Sequence, residues 1–280
     1  MQSTSITLAT PEQAAILTAG TAKGVIYTAA RLTSCTWGLA LRTLITILVA
    51  AYSLTTHAEQ LRWGFASADG LPYVEVKDQQ LRGGVIYQLG QLASQTLGYS
   101  AEFVETPNKR IDEFMQRGRI HVICNSNPQW IDRPERYHWS AALYSEEDVL
   151  LLHDQQAPIS GLHQLYGKTV GTQLGYVYNA ALMEAFAKQQ IIRQDLRDHS
   201  AGLNLLNKQR LDAIIDMRRP LNLALHKQAA TALRLNPWVI ERYGMHCTYS
   251  PKLPVSAEQL DKILLQLRDQ GIIEQWLNAT

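Results

Sequence analysis

The chain has 280 residues, of which 46% are hydrophobic and 18% charged, enough apolar surface for one large or two modest cores and too much for a disordered chain. Its net charge of +1 removes any bulk electrostatic case for nucleic acid or an anionic membrane surface. No internal repeat or low-complexity segment is visible.

The N-terminal segment stands apart. Residues 1–36 are rich in Ser, Thr and Ala, and Trp37–Leu54 is nearly free of charge, broken by Arg42. Arg31 and Arg42, an apolar run of about a dozen residues and then Thr56-His57-Ala58 form the pattern of a secretory signal cleaved after Ala58. The run is shorter than the roughly 20 residues of a membrane span; an uncleaved anchor is the alternative. The stretch Leu32–Cys35 mimics a lipoprotein box but precedes the apolar run instead of following it. Without residues 1–58 the net charge becomes about −1, and Cys124 and Cys247 remain. Two buried free thiols are the default reading; a disulfide is the alternative in an oxidising compartment.

From residue 59 onward the apolar pattern alternates between the strand and helix periods. A buried strand is predicted over 61–66. A helix follows over 85–98, with Val85, Ile86, Leu89, Leu92, Ala93 and Leu97 on one face and a stop at Gly98. A strand over 100–105, a helix over 109–118 and a strand over 120–124 complete a βαβαβ order, which argues a parallel sheet flanked by helices. The second half repeats the idea: strands over 148–153 and 168–173, helices over 178–190 and 201–210, a strand over 211–216 and a helix over 220–229 that accepts Pro220 in its first turn. An extended segment covers 238–249. Ser256 and Gln259 form a capping box before a helix that ends at Gly271, and a short last helix follows.

In this order the segments resemble those of family 3 periplasmic solute-binding proteins, the receptors of polar amino-acid importers. "LRWGFASADGLPY" is similar to the family's first strand and its Pro-aromatic corner, and "LRGGVIYQLGQLASQTLGYSAEFVE" to its Gly-started helix and second strand. "IDEFMQRGRIHVI", "DRPERYHWSAALYSEEDVLLL", "LYGKTVGTQLG", "NKQRLDAIID" and "DQGIIEQWLN" then resemble later segments, so the likeness spans about 61–277. It implies an α/β, two-lobed periplasmic-binding-protein fold of type II, each lobe a mostly parallel sheet flanked by helices, joined by two hinge strands. Lobe 1 would be 59–143 plus 244–280, and lobe 2 would be 146–241. A ligand would lie in the cleft, with the lobes closing on it.

The resemblance places a carboxylate-binding arginine before the aromatic-Ser pair Trp139-Ser140, which lands on Arg133. Its planar fork can donate two parallel hydrogen bonds to a carboxylate; the competing reading is a solvated loop arginine or one paired with Asp132 or Glu135, and Arg136 is the rival position. The family's small-residue stretch becomes Asn125, Ser126, Asn127 and Pro128, and its Thr becomes Trp130, which stacks on ligand or lies on the surface. The acid that grips an α-amino group aligns with Met217, one residue past Asp216, and adjacent strand residues face opposite sides. The first helix reads Gln88 where an Asp is common. Tyr73 would pack on the ligand or sit in the core. Asn108, Lys109 and Arg110 occupy an aromatic wall position, where a basic residue favours a second acidic group on the ligand. Gln173, Gly175 and Tyr176 form the strand-to-helix turn of lobe 2, whose N–H groups can cradle an anion. Trp139 is expected in the hinge core.

Other motifs fail on inspection. The stretch 161–169 has five residues between its glycines where a phosphate loop needs four, and it precedes a strand. The histidines lack zinc spacing, there is no Gly-x-Ser-x-Gly elbow, and Glu146-Glu147-Asp148 reads as a charged hinge loop. The expectation is therefore a secreted, monomeric, non-catalytic binder without cofactor or metal. It would deliver a carboxylate-bearing solute to an ABC permease or, alternatively, report it to a membrane sensor. A cyclohexadienyl-dehydratase-like lyase using Asp216 or Glu105 is the reading from another class.

Overall fold

The structure is a computed structural model that describes residues 59–227 and 232–279. The expected leader, 1–58, lies outside the described residues. No helix among the described residues is long and apolar enough to cross a membrane.

The strands are β1 (Gln60–Phe65), β2 (Glu75–Lys77), β3 (Gln80–Gly83), β4 (Ser100–Glu105), β5 (Val122–Ser126), β6 (His138–Trp139), β7 (Tyr144–His153), β8 (Thr169–Gln173), β9 (Ile192–Leu196), β10 (Ala213–Met217) and β11 (Leu233–Tyr249). The helices are α1 (Val85–Thr96), α2 (Ile111–Arg117), α3 (Ala180–Ala187), α4 (His199–Asn207), α5 (Arg218–Lys227), α6 (Ala257–Asp269) and α7 (Ile272–Asn278). The main sheet runs β4-β1-β5-β11-β7-β10-β8-β9, with β6 beside β11. Strand β1 is parallel to β4 and β5, and β8 is parallel to β9 and β10. Between these two parallel sets lie β7 and β11, antiparallel to each other and to their neighbours. Strand β11 has 17 residues and serves both sets. It pairs with β7 from Leu233 to Met245 and with β5 around Tyr249. Two parallel sheets joined by two long antiparallel strands are the two-lobed architecture with its hinge.

Local chemistry explains each core. In β1, Leu61, Trp63 and Phe65 are buried, and they meet Val85, Ile86, Leu89 and Ala93 of α1. The Trp63 indole donates to Ser94 Oγ at 2.9 Å, so the largest side chain of this core has its polar atom satisfied. Helix α1 must start at a glycine. Gly84 has φ +86, and a Cβ there would lie 2.3 Å from the Tyr73 carbonyl oxygen. In the other lobe, Leu196, Leu203, Leu206, Leu211 and Ile214 pack α4 onto the sheet.

Two expectations are corrected, and further elements are added. Glu146, Glu147 and Asp148 are not a loop but part of β7, and Glu146 and Asp148 are buried. Burial is tolerated because Arg219 pairs with Glu146 and Tyr243 donates to Asp148 at 2.7 Å. Cys124 and Cys247 are not free thiols: they form a disulfide between β5 and β11. The register of these strands shifts between His246 and Thr248, which sets the two cysteines side by side. Finally, β9 and the hairpin β2–β3 have no counterpart in the predicted elements. Strand β9 is an edge with Ile192 exposed and only Leu196 buried, so its alternation is weak. The hairpin turns through Asp78 and Gln79, both at positive φ, without the Asn-Gly or Asp-Gly signal of such turns.

Candidate functional site

A cleft of about 540 Å³ lies between the lobes. One wall comes from the C-terminal ends of β1 and β5 and the segments after them. The other comes from the turn after β8, with α3 and β9 behind it. Both walls therefore follow from parallel strands that end at the same edge, where ligands of open α/β sheets collect.

The loop after β5 carries Arg133 to the rim. Asn127 braces it: its Oδ1 accepts from Gln129 N at 2.9 Å, and its Nδ2 donates to the Gly244 carbonyl at 2.9 Å. The Trp139 indole donates to the Pro134 carbonyl at 2.9 Å and fixes the far end. Arg133 is exposed, lines the cleft, and forms no ion pair with Asp132 or Glu135 among the described residues. Lys109, on the same wall, likewise has no ion pair among the described residues. Arg136 is exposed and away from the cleft lining.

Aromatic contacts cross the cleft. Trp130 meets Tyr176 of the opposite lobe with ring centroids 5.8 Å apart, and stands edge-on to Tyr243 of β11 at 5.3 Å. Trp130 is thus not a surface residue; it packs between lobe and hinge while lining the cleft. Gly175 has φ +83, and a Cβ there would come 3.3 Å from Asn108 Cβ. The lobes meet here backbone against side chain, as in a closed cleft. Trp139 packs beside the Phe114–Met115 cluster of lobe 1.

Of the expected site residues, Arg133, Asn125, Ser126, Trp130, Gly175 and Tyr176 all line the cleft. Tyr73 does not: it is fully buried, stacks on Tyr144 at 6.2 Å, and its hydroxyl faces Glu146 without closing a well-formed hydrogen bond. Arg110 points elsewhere, pairing with Glu113 at 3.4 Å over the Phe114 ring. Gln173 and Asp216 line a separate recess of about 20 Å³, together with His199. Glu105 is exposed and accepts from Ser67.

Beneath the cleft lies a buried polar network. The Tyr144 hydroxyl donates to Asn125 Oδ1 at 2.8 Å, and Asn125 Nδ2 donates to Asp69 Oδ2 at 2.9 Å. Asn125 holds φ +55, an uncommon backbone state for a residue other than glycine and one that clusters at functional sites. His199 Nε2 and Asp216 Oδ2 lie 2.6 Å apart. Burial pulls the His199 imidazole down, but Asp216 and then Asp69 outweigh it, leaving its pKa above the ordinary value. Burial pushes the Asp69 carboxyl up to about 7, despite the Asn125 hydrogen bond, with Asp216 adding to the rise. Residue-by-residue resemblance gives no reason to single out Asp69, His199 or Tyr144. An acid in an apolar turn, "FASADG", is the sole local signal for Asp69. No group of His, Cys, Asp or Glu suited to a metal ion occurs among the described residues.

No protein-family model and no curated protein matches the chain. Solved structures do. The amino acid ABC transporter substrate-binding protein AbpA from Streptococcus pneumoniae, bound to L-arginine, superposes with a TM-score of 0.64 at 17% identity, over 79% of this chain and 93% of its own. The GluR0 ligand-binding core with L-glutamate gives 0.66 at 12%, over 80% and 98%. The ancestral amino acid-binding protein AncCDT-1, described as a precursor of cyclohexadienyl dehydratase, gives 0.63 at 17%, over 85% and 98%. With nearly the full length of each neighbour matched, this chain has the two-lobed, type II periplasmic-binding-protein fold.

Proposed function

We propose that this chain is an exported solute-binding protein of the family 3 type, which captures a small carboxylate-bearing, amino-acid-like solute between its lobes and delivers it to an ABC permease. One observation carries the reading: the cleft is lined from both lobes and presents Arg133, a cation that forms no ion pair among the described residues. An arginine held on a braced loop at the mouth of a concave, half-apolar site is suited to bidentate capture of a carboxylate. Export rests on the signal-like pattern of residues 1–58. The named neighbours support the reading, since AbpA and GluR0 bind L-arginine and L-glutamate.

The test is a thermal-shift screen with amino acids, dicarboxylates and opines. A ligand at about 100 times its dissociation constant stabilises the fold by about 2.7 kcal/mol. Arg133→Ala is expected to abolish the shift for the best hit while the unliganded melting temperature stays unchanged, because Arg133 makes no structural ion pair among the described residues. An undiminished shift would remove Arg133 from the site. In this reading the solute leaves unchanged. Multiple turnover of prephenate by the same preparation would establish the lyase reading instead.

A further inference from the structure

The turn after β1 reaches across to the other lobe. Three of its residues meet the start of α4 there. Ala68 lines a recess of about 20 Å³ with Gln173, His199 and Asp216. Gly70 faces the His199 ring: a Cβ at Gly70 would lie 3.5 Å from Nδ1 and 3.6 Å from Cε1. Leu71 shares a groove with His199, Ser200, Leu203 and Pro220. One lobe thus rests a single turn against one imidazole of the other.

The charge at this contact is unbalanced. Asp69, in the middle of the turn, and Asp216, on β10, are 8% and 3% exposed and belong to different lobes. His199 Nε2 lies 2.6 Å from Asp216 Oδ2, while its Nδ1 side faces Gly70. Asp69 is held on its own side by the neutral Asn125 amide at 2.9 Å. With both acids ionised and the imidazole neutral, closing the lobes brings two negative charges into a desolvated interface. Each proton taken up removes one of them, and an imidazolium attracts both acids.

We propose that this contact is a proton-linked latch: closure of the lobes is favoured when the Asp69–His199–Asp216 cluster carries an added proton and is weakened when the proton leaves. The inference needs the two-lobed fold and not the identity of any solute. Opening exposes Asp69 to water, where its ordinary value is 3.8; in the closed state burial, with Asp216 adding to it, holds the carboxyl near 7. The raised value belongs to the closed state, so its stabilisation is present at low pH and is lost as pH rises through about 7.

The other charged groups facing the cluster are Arg197, Asp198, Lys227 and Glu105, all exposed and screened by water. The hydroxyls of Tyr144 and Tyr176 face Asp69, and those of Tyr178 and Tyr243 face Asp216; burial keeps all four neutral. Asp148, on the hinge strand β7, also repels Asp216, and a variant at position 69 separates its titration from that of the latch.

The experiment is single-molecule energy transfer in the ligand-free full chain, between dyes attached to non-natural residues at the exposed positions Gln91 in lobe 1 and Lys208 in lobe 2. The closed-to-open ratio is expected to fall about tenfold from pH 6 to 8. Asp69→Asn keeps an acceptor for Asn125 and is expected to flatten the profile. A ratio that does not move with pH, or that moves equally in Asp69→Asn, overturns the proposal. Should Asp69→Asn not fold, His199→Gln decides: at pH 6 its ratio is expected to drop about threefold below wild type, and an equal or higher ratio overturns the latch. Capture by Arg133 is read separately, by the thermal shifts above.

Discussion

Asp148 offers a direct measure of how the hinge is built. It is 3% exposed on β7, accepts from the Tyr243 hydroxyl at 2.7 Å, and titrates near 7 instead of its ordinary 3.8. Burial is the main cause, with Asp216, Glu241 and Glu146 adding repulsion. The folded-state pKa is raised, so the contribution to stability is fully present below the unfolded value and is lost as pH rises through about 7. Between pH 5 and 8 the loss is about 3 kcal/mol, at 1.36 kcal/mol for each pH step between 5 and 7. Asp148→Asn keeps an acceptor for Tyr243 and removes the titration. At pH 5 the variant and wild type should melt together within about 1 kcal/mol. At pH 8 the variant should be the more stable, by about 5–10 °C in a chain of this size. Thermal melts of ligand-free protein at the two pH values provide the assay, and Asp69 titrates in both proteins, so its effect cancels. A gap that does not widen with pH would refute the reasoning, because an Asp148 that is ionised and comfortable at neutral pH needs a cation not found beside it.

The disulfide and one glycine yield two further tests. The Cys124–Cys247 bridge closes a loop across 123 residues of sequence, so reduction, or Cys247→Ser, should lower stability by about 2–5 kcal/mol by relaxing the constraint on the unfolded chain; equal melting with and without reductant would show that the bridge contributes nothing. Gly84→Ala should cost at least about 2 kcal/mol, since it combines a positive φ with a clash against the Tyr73 backbone. A urea midpoint within error of wild type would place the start of α1 elsewhere.

The fold was legible wherever burial left a period in the sequence. Strand β1 and helix α1 carry their apolar faces openly, and the order of strands and helices is enough to expect two parallel sheets. What escaped had no such period. Strand β9 is an edge held by backbone pairing to β8, with exposed and polar residues on it. The acids of β7 look like a solvated loop because a sequence shows charge without its partners. Arg219 lies 73 residues from Glu146, and Tyr243 lies 95 from Asp148.

The same physics separates the two halves of the candidate site. Arg133 could be singled out because an arginine at a fixed offset from Trp139-Ser140 leaves a local trace, and the loop that carries it is braced by residues within a few positions, Asn127 and Trp139. The carboxylate side leaves no local trace. Asp69 is set by Asn125, which is set by Tyr144, and these three lie on a turn, a strand end and a hinge strand that come together only in the folded chain. Gln173 and Asp216, which the resemblance did bring forward, turn out to frame a recess and not the cleft itself. A candidate site built between lobes is therefore read from sequence on the side that one loop supplies. On the side that several elements supply jointly, the informative quantity is the balance of buried charge, which exists only once the chain has folded.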